Sequence, residues 1–315
     1  MPTVKIVFLV LPHTNLLDMA GAAQVFFEAR ENGVDIQMEY CSFENSLITS
    51  SNLPLGKIKN FKTHKFKKGD YLFIVSADIK YVLSKQLQPE AALLKWINDA
   101  YANGANICSV CNGAFLLGKT GLLDGRNCTT HWKRTATLQK IFPKANVLEN
   151  IIYTEDNGIY TSAGASSGID IALHIVSKLK GEYFSYKISR ELVIYNRRSG
   201  NAEQQSVFLS YRNHMHAGVH KVQEWLMENL DKKATLADLA ELAFMSIRNL
   251  TRIFKKETGI SINHYVTLLR KQRMLEFVKN PDISKKQLAN LCGLKSEKQV
   301  RRILNRSLMY KPRLV

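Results

Sequence analysis

A cysteine stands at the point where a buried strand gives way to an apolar helix. The strand comprises residues 106–110, and Cys111-Asn112-Gly113 forms the turn after it. This order of strand, nucleophile and helix is that of an elbow, which projects a reactive side chain above a sheet. The amide dipoles at the start of the helix favour a thiolate, so the sequence predicts an exposed and somewhat acidic Cys111 thiol.

Two further reactive side chains follow other predicted elements. Asp18 comes shortly after the first strand, and His131 lies beside Trp132 in a polar stretch. Because strand ends in a parallel sheet meet at one ligand-binding edge, we expect these groups to converge. We predict that a small polar metabolite binds among Asp18, Cys111, Asn112, His131 and Trp132. The Asp18 carboxylate would attract a cationic amine, and the Trp132 indole would add a cation–π contact with it.

Three other patterns suggest chemistry that their surroundings disfavour. Residues 113–120 match the phosphate-loop pattern G-x-x-x-x-G-K-[ST], but the four middle residues are apolar and favour a buried helical turn. Residues 108–111 have C-x-x-C spacing, yet the first cysteine falls inside the strand, which favours a buried cysteine over a redox pair. His214, His216 and His220 have metal-ligand spacing but lie at the end of a polar linker. We therefore predict neither a metal nor a cofactor.

The first 180 residues alternate strand and helix patterns. Strands are predicted at residues 4–11, 35–43, 71–75, 106–110, 151–154 and 158–162, and helices at 16–30, 90–102 and 169–179. Such alternation indicates an α/β domain of flavodoxin-like type, with a mostly parallel sheet and helices on both faces. The reactive residues above would lie at the edge of this sheet.

The length and patterning indicate two domains. A chain of 315 residues exceeds what one hydrophobic core usually supports. We predict a front domain over residues 1–185, a linker over 186–216, and an all-α domain over 217–315. The linker assignment rests on the polar, non-periodic run at residues 195–205.

The back domain contains an internal repeat. Residues 239–243 are echoed by 288–292, and residues 246–254 are echoed by 296–304. Each copy reads as two helices joined by a short turn, which is the helix-turn-helix plan. A long helix at about 262–279 separates the copies. Helix starts are marked by Thr235 with Asp238, a capping-box pair, and by N-cap serines at 246, 261, 284 and 296.

The second helix of each copy presents a basic and amide-rich face. Arginine and lysine suit guanine and phosphate, whereas asparagine and glutamine suit adenine. The predicted DNA-binding residues are Arg248, Asn249, Arg252, Lys255, Lys256, Lys298, Gln299, Arg301, Arg302 and Asn305. A single basic helix face could simply be exposed to solvent. Because the face occurs twice, each time after a turn at the same position of the repeat, DNA binding is the stronger interpretation.

The net charge of +17 is concentrated toward the end of the chain. Residues 216–315 carry 20 Lys and Arg against 9 Asp and Glu, an excess that attracts phosphate backbones. The sequence has no apolar run long enough for a bilayer and no signal-peptide pattern, so we expect a cytoplasmic protein without a membrane partner. Five cysteines, an odd number, argue against a disulfide framework.

Residues 219–315 resemble the AraC/XylS-type DNA-binding domain. The resemblance is carried by residues 239–240, 245–246, 250–255, 258–261, 289 and 292–294. It implies sequence-specific binding of double-stranded operator DNA. The second repeat departs from the family pattern, because Met309 replaces a glycine and because Leu294 and Val300 replace phenylalanines.

Residues 3–181 resemble the class I glutamine-amidotransferase-like superfamily, in its PfpI and Parkinsonism-protein branch. The matching segments are 16–21, 111–117, 121–126, 129–132, 161–164 and 168–170. The resemblance assigns the family's reactive cysteine, acid and histidine to Cys111, Asp18 and His131. Two departures count against catalysis. Asn112 replaces the histidine after the cysteine, and residues 76–78 lack the glycine pair that offers an oxyanion-hole amide.

The pairing of these two domains resembles GlxA-like regulators. This implies a transcription regulator that responds to a small nitrogenous metabolite, either an amino acid or an amine-like compound. It also implies a homodimer on operator DNA, with RNA polymerase as a further partner. Two alternatives stay open: a Cys111-dependent hydrolase or deglycase fused to a DNA-binding domain, and a redox regulator that uses Cys111.

Overall fold

The computed structural model describes residues 3–84, 91–194, 198–200, 204, 207, 211–232, 234–277, 284–294 and 296–308, with side chains at all of these except 275, 276 and 303–308. The chain divides into two compact units, Met1–Gln204 and Gln205–Val315. Within these described ranges, no helix is both long and apolar enough to cross a bilayer.

The front unit is built on a seven-stranded sheet. Its strands and those of two small pairs are β1 Val4–Leu9, β2 Ile36–Ser42, β3 Ser46–Ile48, β4 Pro54–Gly56, β5 Lys59–Asn60, β6 Tyr71–Ile74, β7 Asn106–Val110, β8 Asn127–Cys128, β9 Asn146–Val147, β10 Tyr153–Asp156 and β11 Ile159–Ser162. The large sheet has the order β10-β11-β7-β6-β1-β2-β5, and every neighbouring pair is parallel except β10–β11. The predicted parallel sheet is therefore confirmed.

Helices cover both faces of this sheet. They are α1 Leu16–Glu31, α2 Ile79–Leu83, α3 Ala91–Ala102, α4 Gly113–Lys119, α5 Thr135–Ile141, α6 Ser167–Lys180 and α7 Glu182–Glu191. Successive side chains of β6 point to opposite faces. Leu72 packs in a core with α3 and α4, whereas Phe73 packs in a second core with α1, α6 and α7. Both residues are fully buried, which explains the continuous apolar runs of the central strands.

The one antiparallel pair of the large sheet is the predicted strand pair. β10 and β11 are joined by Asn157 and Gly158, whose φ angles of +50° and +77° suit a tight hairpin turn. The small pairs β3–β4 and β8–β9 were not predicted, and neither were α2 and α5. These elements are too short to show a periodic pattern of apolar residues.

In the described part of the back unit, all secondary-structure elements are helices. Its helices are α8 Ala217–Glu228, α9 Leu236–Leu242, α10 Ile247–Thr258, α11 Ile262–Phe277, α12 Lys285–Leu291 and α13 Glu297–Leu308. The pairs α9–α10 and α12–α13 are the two predicted helix-turn-helix units, and α11 stands between them. The predicted end of α11, at residue 279, lies outside the described residues.

Side-chain caps set where these helices begin. The Thr235 hydroxyl accepts the Asp238 N–H at 3.2 Å, and the Asp238 carboxylate accepts the Thr235 N–H at 2.8 Å. Ser284 and Gln287 make the same reciprocal pair at α12, and the Ser246 hydroxyl caps α10. Such caps satisfy backbone N–H groups that have no partner within the helix.

The boundary between the units falls inside a segment predicted as linker. Helix α7 covers residues 182–191, so it overlaps the first residues of the predicted linker at 186–216. Ile188 is fully buried in the core of the front unit, which keeps this helix on that unit. The exact domain bounds stay a prediction.

Candidate ligand site and nucleic-acid interface

Cys111 occupies a strained turn between β7 and α4. Its φ of +51° lies in the left-handed region, which costs a non-glycine residue about 1–3 kcal/mol. Two hydrogen bonds hold the turn. The Cys111 N–H donates to the Ser162 carbonyl at 2.9 Å, and the Thr130 hydroxyl donates to the Cys111 carbonyl at 2.7 Å. A Cβ on Gly113 would lie 2.4 Å from the carbonyl oxygen of Ile74, so glycine is required there.

The Cys111 thiol is buried, since only 6% of the residue is exposed. Burial raises the pKa of the thiol to about 12, and the nearby Asp18 carboxylate adds to the rise. Hydrogen bonds from the Ser76 hydroxyl and the backbone amides of Asn112 and Ala165 lower the pKa, but by less. The prediction of an exposed and somewhat acidic thiol is therefore wrong, because exclusion of water outweighs the amide donors.

Asp18 lies in the first turn of α1 and is 2% exposed. Burial raises the pKa of its carboxyl group to about 6, although hydrogen bonds with Asn15 and Ser76 act to lower it. The Asn15 side-chain amide donates to the Ser76 hydroxyl at 3.1 Å, and the Asn15 N–H donates to the Ser76 carbonyl at 3.1 Å. These bonds tie the segments after β1 and β6 together beside the carboxylate.

Two buried oxygen atoms of this site accept no hydrogen bond from any described residue. They are Oδ1 of Asp18 and Oδ1 of Asn112. Nδ2 of Asn112 donates to the Ala77 carbonyl at 3.0 Å, which fixes the orientation of that amide. A buried acceptor without a donor costs about 1–3 kcal/mol. The site is thus suited to a group that supplies hydrogen-bond donors.

His131 reaches the same backbone segment as Cys111. A Cβ on Gly164 would lie 2.9 Å from Cδ2 of His131 and 3.6 Å from Sγ of Cys111. Nδ1 of His131 accepts the Lys133 N–H at 3.3 Å. Burial lowers the pKa of the imidazole, and the positive charges of Lys133 and Arg134 lower it further. These effects favour the neutral form of the imidazole.

Trp132 lies at the rim of the site and is 42% exposed. Its ring stacks against His131 with the centroids 5.6 Å apart, and the Lys133 ammonium lies 5.1 Å from the indole centroid. The backbone N–H of Trp132 donates to the side-chain oxygen of Gln204 at 2.8 Å. The indole therefore already contacts one cation, and its role toward a ligand stays a prediction.

The structure thus brings Asp18, Cys111, Asn112 and His131 together. Three contributors were not predicted, namely the Ser76 hydroxyl, the Ala165 amide and the close approach at Gly164. All three follow β6 or β11, whose ends share the sheet edge with those of β1 and β7. For Ser76, the signal would have been a small polar residue shortly after a buried strand; the sequence offers no comparable signal for Gly164 and Ala165.

The competing motifs have structural explanations. Residues 113–118 are buried within α4. The segment that matches the phosphate-loop pattern therefore forms a buried helix and not an open loop. Cys108 is fully buried in β7, and burial raises the pKa of its thiol well above the ordinary range. The His214 and His220 rings stack with centroids 4.3 Å apart, and His216 accepts a backbone N–H at the start of α8. These contacts account for the three histidines through packing and capping.

The predicted DNA-binding residues of the first repeat lie along α10. Leu250 and Phe254 bury one side of this helix. Arg248, Arg252, Lys255 and Lys256 are exposed, and Asn249 is half-buried. The Arg252 guanidinium donates to the Asn249 side-chain oxygen at 2.9 Å, so the two side chains are held as a pair.

In the second repeat, helix α13 likewise has one buried side and one exposed basic side. Val300 is buried, whereas Lys298, Arg301 and Arg302 are exposed and Gln299 is half-buried. Arg301 lies 3.9 Å from the Glu297 carboxylate. The side chain of Asn305 lies outside the described residues. Which of these groups touch DNA stays a prediction.

An α/β domain with a cysteine elbow, followed by a helical domain with two helix-turn-helix units, defines the class of this chain. Residues 4–178 match the family model for the DJ-1/PfpI family, and the chain belongs to that family. Residues 226–267 match the family model for bacterial regulatory helix-turn-helix proteins of the AraC family. Both resemblances are confirmed. The AraC match covers the first repeat and part of α11.

Curated relatives of this chain are named as HTH-type transcriptional regulators. The chain is 32% identical over 196 residues to the HTH-type transcriptional regulator GbdR of Pseudomonas aeruginosa, covering 61% of this chain and 52% of that protein. It is 23% identical over 290 residues to the HTH-type transcriptional regulator CdhR of the same species, covering 92% and 84%.

Among solved structures, an AraC family transcriptional regulator from Pseudomonas putida matches with a TM-score of 0.52 and 21% identity, covering 60% of this chain and 99% of that one. At this identity the likeness shows the fold alone. The match to GbdR also spans only about half the length of that relative.

Proposed function

We propose that this protein is a sequence-specific DNA-binding transcription regulator whose front domain senses a small nitrogenous metabolite. The observation that carries the proposal is the union, in one chain, of a DJ-1/PfpI domain and an AraC-type helix-turn-helix region. The names of GbdR and CdhR support it. The protein acts in the cytoplasm on duplex operator DNA, where RNA polymerase is available as a partner.

The metabolite binds beside Asp18, Cys111, Asn112, His131 and Trp132. An ammonium group would supply the donors that Oδ1 of Asp18 and Oδ1 of Asn112 lack. Because the pKa of Asp18 is about 6, most of this carboxyl is charged at neutral pH and attracts a cation. The neutral imidazole does not repel such a cation. An amino acid or another amine meets these requirements.

Cys111 shapes this site and is not an efficient nucleophile. Because burial raises the pKa of this thiol to about 12, the thiol keeps its proton at pH 7. A hydrolase or deglycase needs an activated thiolate and donors for an oxyanion. Turnover of amide, ester or glycated substrates at ordinary enzymatic rates, lost in Cys111→Ala, would establish the enzyme instead. Loss of DNA binding after peroxide treatment, prevented by Cys111→Ala, would establish the redox regulator.

DNA binding is tested with genomic DNA fragments selected by the purified full-length protein. Arg252→Ala should weaken specific binding about 10- to 100-fold, because a bidentate base contact is worth about 1–3 kcal/mol. Lys95→Ala is the matched control, since Lys95 is an exposed cation of the front unit that pairs with Asp99 at 2.7 Å. Failure of the wild-type protein to select any sequence would overturn the proposal.

Metabolite sensing is tested by a thermal-shift screen of amino acids and amines, since a ligand that binds only the folded state raises its stability. A hit should lose its effect in Asp18→Asn. By linkage, operator DNA must change the affinity for the metabolite by the same factor as the metabolite changes operator affinity. Calorimetry that finds one metabolite affinity with and without operator would refute the coupling.

A further inference from the structure

A cavity lies beyond the ends of β1 and β6, among residues that play no part in the Cys111 site. Its volume is about 480 Å³, and its lining residues are His13, Ser50, Asp78, Lys80, Tyr81 and Ser84. The C-terminal edge of a parallel sheet is where α/β folds bind small ligands. The cavity is therefore placed where a ligand is expected.

The backbone around this cavity is strained and fixed. His13 has a φ of +57°, in the left-handed region that side chains rarely adopt. Its N–H donates to the Ile48 carbonyl at 2.7 Å, and its carbonyl accepts the Asp78 N–H at 2.9 Å. The imidazole also meets the Tyr81 ring edge-on, with centroids 5.1 Å apart. Two other chain segments, around Ile48 and over Asp78–Tyr81, thus hold His13 in one position, as expected of a preorganised site.

Apart from the Asp78 carboxylate, the cavity lining offers one cation and several hydrogen-bond donors. Oδ1 of Asp78 accepts the N–H groups of Lys80 and Tyr81 at 2.8 and 3.4 Å, so that oxygen is occupied in capping α2. The Lys80 ammonium is exposed and has no ion pair or hydrogen bond with any described residue, and the same holds for the Ser50 hydroxyl. Burial raises the pKa of Tyr81 to about 12, so its phenol keeps its proton.

We propose that this cavity binds a small organic carboxylate, with the Lys80 ammonium paired to the carboxylate and the His13 imidazole and Ser50 hydroxyl as further donors. The Lys80 ammonium recognises an anion by a charge-assisted hydrogen bond, while the Asp78 carboxylate of the same cavity is held through Oδ1 by the N–H groups that it caps. The site is independent of the amine site proposed above, because the two share no side chain.

The short segment Ser76–Asp78 runs beside both sites. Ala77 lies between Ser76, which contacts Asp18, and Asp78, which lines the cavity. The Ala77 carbonyl also accepts the Asn112 side-chain amide at 3.0 Å.

The test uses succinate, its neutral analogue succinamide and inorganic phosphate as probes in calorimetry with the full-length protein. Succinate should bind, and Lys80→Gln should raise its dissociation constant about tenfold or more. Ser50→Ala should weaken binding less, and Lys80→Arg should keep most of it. Lys95→Gln, an exposed lysine elsewhere on the front unit, should change nothing. Thermal unfolding of each variant confirms that it is folded.

Asp18→Asn separates this proposal from the proposed function. It should abolish amine binding and leave succinate binding unchanged. The carboxylate site is refuted if succinate does not bind, if succinamide binds equally well, or if phosphate binds more tightly than succinate. Equal succinate binding by Lys80→Gln and the wild-type protein, or weaker binding by Asp18→Asn, would also refute it.

Discussion

Asp18 and Cys111 show how burial changes the chemistry of a residue. An elbow at a helix start favours a thiolate in water, yet here the pKa of the Cys111 thiol rises to about 12. The sequence predicts the position of this thiol correctly but not its protonation, because the pattern of residue types does not reveal how far water is excluded. The same holds for Asp18, whose position was predicted and whose raised pKa was not.

Removal of the Asp18 charge should make Cys111 more reactive. The carboxylate opposes ionisation of the thiol, so Asp18→Asn should lower the thiol pKa and speed alkylation of Cys111 by iodoacetamide. The rate is followed at several pH values by mass spectrometry of the Cys111 peptide. Asp124→Asn, at a half-exposed site, serves as control. A wild-type thiol that titrates at or below pH 9 would contradict this account.

Asp18 should also make stability depend on pH. Its pKa is raised from 3.8 to about 6 in the folded protein, so the native state binds this proton more tightly than the unfolded chain. The stabilisation is complete below the unfolded pKa and is lost as pH rises through about 6. Relative to Asp18→Asn, the free energy of unfolding should fall by about 2 kcal/mol between about pH 4.5 and 7.5. Parallel pH profiles for the two proteins would exclude this effect.

At the scale of elements, long periodic segments were predictable and short ones were not. Helices α1, α3 and α6 lie within two residues of their predicted bounds, because residues that become buried recur along each of them over several turns. The second part of helix α7, residues 186–191, falls in the segment that the sequence predicts as linker. Tyr183 and Tyr186 are exposed on it and only a few of its residues are buried, so its apolar pattern is weak.

The helix caps of the back unit give a prediction at this scale. Thr235→Ala removes the hydroxyl that accepts the Asp238 N–H and should destabilise the back unit by about 1 kcal/mol. Thr267→Ala is the matched control, since Thr267 is an exposed threonine inside α11 where alanine is the better helix former. Chemical denaturation measures both. Equal free energies of unfolding for Thr235→Ala and the wild-type protein would show that the cap contributes nothing.

At the scale of the whole molecule, we expect a homodimer. Two linked DNA-binding units gain affinity because the second contact becomes intramolecular once the first has formed. Light scattering of the full-length protein at micromolar concentration should give about twice the chain mass of 35.8 kDa. A mass that stays at that of one chain would rule out a stable dimer.

The central claim is that each protomer reads operator DNA with both helix-turn-helix units. Hydroxyl-radical footprinting on a selected operator tests this most directly. We predict two protected segments per protomer in adjacent major grooves, about one helical turn apart. Arg252→Ala should remove protection of one segment and Arg302→Ala protection of the other. Protection of a single groove segment per protomer, or of none, would contradict the claim.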